Sequence, residues 1–86
     1  RVKDVQVFPT DSGPAVNLVA EAAGRRVELF AVRAKTAATV RPRIAIRGPE
    51  AVAYWERGDD AYVLSGPQSR RELMSAAVAL ASGADL

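Results

Sequence analysis

Asp59 and Asp60 are adjacent carboxylates, the pairing from which acid–base catalysis is built when a cleft drives two pKa values apart. Their setting, Arg57-Gly58-Asp59-Asp60, is that of a hairpin turn, where Gly and Asp serve the backbone and the side chains are solvated. Arg57-Gly58-Asp59 also spells an adhesion tripeptide, and turn chemistry accounts for it. Tyr54, Trp55 and Tyr62 have the types for a ligand-stacking platform, but a small domain needs its one Trp for packing. Arg41, Arg43 and Arg47, with Arg25, Arg26 and Lys35 nearby, have the makings of an anion-binding strip and form the candidate partner surface. Aromatics are not interleaved with these arginines as in nucleic-acid binders, so no nucleic-acid partner is expected.

The chain has no Cys and no His. Disulfides, thiolate metal sites, Cys/His nucleophilic pairs and Ser-His-Asp triads are all excluded. No cofactor, metal or catalytic residue is expected. At 86 residues the chain makes one domain, and its 49% hydrophobic content is largely Ala and Val with few aromatics, so the core should be thin. Net charge is +2, yet residues 1–47 hold nine Lys/Arg against four Asp/Glu, while 48–86 hold three against six. That asymmetry favours an acidic partner for the N-terminal part. No apolar run approaches the ~18–20 residues needed to cross a bilayer.

The elements that must position these groups follow from periodicity. Residues 2–8 alternate as an edge strand with Val5 and Val7 on one face, ended by Pro9. Thr10 to Pro14 turn the chain. Val16, Leu18 and Ala20 share a strand face, Ala22 to Arg25 reverse it, and residues 26–33 return. Residues 34–42 have weak periodicity and read as a mobile connection. Arg43–Arg47 is a short strand with Ile44 and Ile46 inward. Val52–Arg57 and Ala61–Ser65 read as a hairpin turned by Gly58-Asp59.

A helix is predicted after Pro67, with Ser69 as N-cap and Glu72 completing a capping box. Leu73, Ala76, Ala77, Leu80 and Ala81 form its apolar stripe, and Gly83 stops it at C′. The expected fold is α+β: a mainly antiparallel sheet of five or six strands with one C-terminal helix packed on one face. Trp55, Tyr62, Leu64, Leu73 and Leu80 are the expected core. Trp55 should lie under the helix beside Val63, with Tyr54 and Tyr62 paired across the hairpin on the other face.

From Gly24 onward the chain resembles the extracytoplasmic C-terminal domain of bacterial membrane-spanning anti-sigma factors. The residues that carry the likeness are Gly24-Arg25-Arg26-Val27-Glu28-Leu29-Phe30, then Val52 to Ser65 with its Tyr54-Trp55 pair, glycine turn and Tyr62-Val63-Leu64. The last piece is the helix opening Arg71-Glu72-Leu73. The resemblance implies a non-catalytic regulatory domain on the periplasmic face of the inner membrane. Its parent would be a single-pass membrane protein whose cytoplasmic part binds the sigma factor. Protein partners would be a regulatory protease or an envelope sensor, and strand edges at Val2–Phe8 or Arg43–Arg47 would suit a homodimer. Because the chain begins with Arg, it is expected to be a piece excised from that longer protein. The alternative is an exported carrier-type or generic protein-interaction domain of similar fold.

Overall fold

The computed structural model describes residues 2–11, 13–22 and 24–82, with the side chains of Ala22, Lys35, Thr36 and Arg47 outside that description. Strands β1 (Val2–Thr10), β2 (Gly13–Ala22), β3 (Arg25–Arg47) and β4 (Glu50–Ser65) form one antiparallel sheet in chain order, followed by helix α1 (Arg70–Ala81). The expected α+β class and the docked C-terminal helix are both present. Pro9 does not end β1. It sits opposite Pro14 in an outer strand, where a missing donor leaves no central ladder unpaired. The turn that follows is tightened by Thr10, whose hydroxyl donates to the Gly13 carbonyl at 2.6 Å.

The segmentation of β3 and β4 differs from the expectation. Residues 34–42 belong to β3, whose register on β4 shifts between Arg33 and Ala38 and again between Val40 and Arg43. At the first shift, residues 34–37 face only Asp59; at the second, Arg41 and Pro42 face only Trp55. These are bulges, which is where a strand can accept Pro42. Counting β3 as two segments about the first shift gives five strands.

The consequence is a sharp bend. Extended at about 3.3 Å per residue, the 16 residues of β4 would run about 53 Å, against a longest molecular extent of 33 Å. Gly58, at φ 62°, provides a conformation that side-chain-bearing residues rarely adopt. Beyond it the face presented by alternate residues switches: Ala53 and Trp55 share a core with Tyr62 and Leu64. The two halves of β4 thus fold toward each other about Gly58, but both pair with β3 within one continuous strand, so the expected Val52–Arg57/Ala61–Ser65 hairpin is not formed.

The core lies between this folded ribbon and α1. Ala53, Trp55, Leu64, Leu73 and Ala77 are buried together, flanked by Val27, Leu29, Ile44, Tyr62 and Leu80. Trp55 is 2% exposed and Leu73 1%. Ala76, assigned to the helix's apolar stripe, is exposed instead, because Leu73 and Ala77 define the contact line and Ala76 is turned off it. Val63 is likewise not beside Trp55. The parity switch at Gly58 puts Leu64 and Tyr62 there, and Val63 on the opposite face.

Helix α1 is fastened at both ends. Ser69 Oγ accepts from the Glu72 amide at 3.2 Å, while the Ser69 amide donates to Glu72 Oε1 at 3.0 Å, completing the predicted capping box. Arg25 on β3 reaches Glu72 at 3.4 Å. At the other end Arg57 on β4 donates to the Ala81 carbonyl at 3.2 Å, a cation where the helix dipole is negative. Ser82 is the C-cap, and Gly83 lies outside the described residues.

Candidate functional site

The sheet face opposite α1 is not flat. Alternate residues of β3 (Glu28, Phe30, Val32) and of both halves of β4 (Glu50, Val52, Tyr54; Ala61, Val63, Ser65) line a hollow of about 610 Å³, with Asn17 at one side. Folding β4 about Gly58 creates it, because that bend brings the two sets of β4 residues together. A second hollow of about 500 Å³ continues past its end, sharing Glu28, Glu50 and Ser65 and adding Arg26, Pro49, Gly66 and Gln68. The combined groove has an apolar end and a polar end.

The polar end is rich in acceptors. Glu28 is held 3.5 Å from Arg26, an exposed pair of the kind that contributes little. Glu50 makes no ion pair among the described residues, although Arg47 occupies the register position across from it. Gln68 buries its Oε1 without a hydrogen-bond partner. That oxygen lies against Gly66, where any side chain would collide with it and crowd the Arg26 carbonyl and Val27 Cγ1, each 3.1 Å from the added carbon.

In the apolar end, the Tyr54 hydroxyl donates to Glu56 Oε2 at 2.6 Å. That bond raises the Tyr54 pKa above its ordinary 10.0, burial and the Glu56 charge push the same way, and Arg43 opposes them. Phe8 and Phe30 approach at 6.0 Å over this same face, tilted by 30°.

The groups that suggested chemistry in the sequence fall elsewhere. Asp59 and Asp60 sit at the β4 bend, away from the groove, and Asp59 is paired with Arg33 at 3.6 Å in solvent. The aromatic trio does not form a platform. Trp55 and Tyr62 stack beneath the helix at 5.3 Å, so the expected Tyr54–Tyr62 pairing is replaced by a Trp55–Tyr62 one. The switch of facing at Gly58 is the cause. Arg41 and Arg43 are exposed on the outer segment of β3, and the Arg47 side chain lies outside the description. Arg57, read only as turn residue, is instead a helix anchor.

Among the described residues no three or more His, Cys, Asp or Glu gather where a metal could be held. No helix among them is long and apolar enough to cross a membrane. Compared with models of known protein families, with curated proteins and with solved structures, the chain gives no match.

Proposed function

We propose that this chain is the extracytoplasmic regulatory domain of a membrane-spanning anti-sigma factor. It carries out no catalysis. It governs release of a sigma factor held by a cytoplasmic segment of the parent protein. One observation supports the reading above others: the separate segments that carry the resemblance pack as a single unit. Val27 and Leu29 of the first, Trp55, Tyr62 and Leu64 of the second, and Leu73 of the third share one core. A gate of this build responds to small perturbations. Only Leu73 and Ala77 of α1 are fully buried, and undocking the helix would uncover Trp55. A partner that favours one state by a few kcal/mol then changes its population by orders of magnitude. The partner would be a regulatory protease or an envelope sensor protein.

The test is made in cells carrying the parent gene intact, deleted, or with Trp55→Ala. Deletion should raise transcripts of one sigma-factor regulon, and Trp55→Ala should loosen its control. If neither genotype changes any such regulon, the reading fails.

The groove gives specific support to a second reading, an exported carrier-type domain, since small-molecule sites occupy hollows of about 300–1,000 Å³. Mass spectrometry of the protein purified under native conditions separates the two. A stoichiometric co-purified molecule favours the carrier.

A further inference from the structure

We propose that the free edge of β1 pairs antiparallel with the β1 of a second copy, joining two sheets into one. Among the described residues β1 is paired with β2 alone, and all of its residues are exposed. Pro9 faces Pro14, and neither has an N–H to give, so theirs is a non-hydrogen-bonded pair of the ladder. Alternation from that pair turns the backbone groups of Phe8, Gln6 and Asp4 toward β2. Those of Val7 and Val5 point out of the sheet edge with no strand to receive them. The edge is fenced at both ends: Pro9 offers no donor, and Lys3 sits in the register shift between Val2 and Asp4. Between them stand Asp4 to Phe8, a window symmetric about Gln6. An antiparallel pairing centred there sets Val5 against the partner's Val7, and Val7 against the partner's Val5, each exchanging both backbone bonds. Gln6 then meets the partner's Gln6, an amide pair able to donate and to accept. Sliding the register by two residues opposes a valine to Lys3 in one direction or to Pro9 in the other, losing an apolar contact or a bond.

The side chains select a second copy as well. Val5 and Val7, 51% and 65% exposed, stand on the face that carries α1 but lie beyond the helix, which packs on β3 and β4. They end two apolar rows across the sheet, Leu29–Leu18–Val5 and Ala31–Val16–Val7. The symmetric pairing joins the end of each row to the end of the other row in the second copy. The window's one charge, Asp4, falls opposite the partner's Phe8, and Lys3 is held by Glu21 at 3.9 Å, so no like charges meet. The edge of β3 beyond Ala31 fails that condition, because a symmetric pairing about Ala45 sets Arg43 against the partner's Arg47. The β1 contact is isologous and closes at two copies. It is also short, about 17 Å of strand, well below the roughly 800 Å² a side of a stable complex, so it dissociates at about 0.1–1 mM. The inference is independent of the regulatory reading.

The experiment is sedimentation equilibrium of the 86-residue chain from about 20 μM to about 1 mM, with NMR of a mixed-isotope sample at the upper end. The mean mass should climb with concentration toward that of a dimer. The Gln6 α-protons of two copies, close together in a non-hydrogen-bonded pair, should give a cross-copy contact. Val7→Pro removes a donor that the lone chain leaves to solvent, so the fold should persist while association weakens about tenfold or more. Should that variant disturb β1, exposed side chains carry the same test. A chain with Val5→Glu mixed with one carrying Val7→Lys should associate more tightly than either alone, because each Glu then faces a Lys. A chain that stays monomeric at about 1 mM would overturn the proposal and leave the edge to an extended segment of another protein. Association indifferent to Val7→Pro, or no gain on mixing the charged variants, would overturn it too.

Discussion

Trp55 and Tyr62 stack with ring centroids 5.3 Å apart and planes 14° from parallel, although seven positions separate them on one strand. An unbent strand would hold them about 23 Å apart. The stack is therefore the signature of the β4 bend, and it joins the two halves of the strand beneath α1. Trp55→Ala should destabilise the domain by about 3–5 kcal/mol, a large part of the 5–15 kcal/mol typical of folded domains. A double-mutant cycle with Tyr62→Leu should show a coupling of about 0.5–1.5 kcal/mol by urea denaturation. Zero coupling would mean that the rings are neighbours without being partners.

Gly58 makes that stack possible. At φ 62° an added β-carbon meets no neighbouring atom, so the obstacle to substitution is backbone conformation alone. Gly58→Ala should cost about 1–2 kcal/mol, and Gly58→Asn distinctly less, since Asn tolerates the left-handed region. Thermal melts of both variants would check the order. Equal losses would point to a cause other than φ.

Gly66 presents the opposite case. Its backbone φ is unremarkable, but an added carbon would press on the Arg26 carbonyl and Val27 Cγ1 and displace Gln68. Only the Gln68 side chain can swing clear. Gly66→Ala should therefore destabilise by about 1–3 kcal/mol through overpacking. Gly66→Ala combined with Gln68→Ala should recover only part of that loss, which chemical denaturation would measure.

The helix was legible from its residues because its signals are local. Ser69 and Glu72 lie three apart, and Leu73 and Ala77 sit four apart on one line. The antiparallel order was legible too, since Gly24 and Gly48-Pro49 mark reversals with short loops. The long reach of β3 was not. Residues 34–42 hold no sustained alternation, because the bulged residues 34–37 and 41–42 leave only Ala38, Thr39 and Val40 paired between them. The groove was hidden for a related reason. On β3 and β4 the lining of the larger hollow falls on even positions before Gly58 and odd ones after it, so no single periodicity spans it. The Trp55–Tyr62 partnership was missed through the same change of parity.

Acid should loosen the start of α1. Hydrogen bonds from the Ser69 backbone amide, then from the Ser69 side chain, lower the Glu72 pKa below its ordinary 4.5, with Arg25 adding to this and burial opposing it. Because the folded value is the lower one, this stabilisation is complete above the unfolded pKa. It vanishes as pH falls through the folded value. Glu72→Gln keeps the capping geometry and removes the titration, so it should flatten the stability profile below about pH 5. Ser69→Ala should cost about 1 kcal/mol at neutral pH by removing the cap itself. Circular-dichroism melts across the acid range would read both effects.

Alkali should act on the opposite face. The Tyr54 hydroxyl is held protonated chiefly by donating to Glu56, so its folded pKa lies above the unfolded 10.0. A raised value means that the folded chain keeps its proton when the unfolded chain begins to release it. The corresponding stabilisation is complete below pH 10 and is lost as pH climbs through the folded value. Tyr54→Phe should remove that alkaline decline, while Glu56→Gln should bring tyrosinate formation to lower pH because the acceptor is no longer charged. Ultraviolet difference titration of the wild type against Tyr54→Phe isolates this one hydroxyl from Tyr62. If Glu56→Gln left the difference curve unmoved, the 2.6 Å bond would not be the cause of the shift.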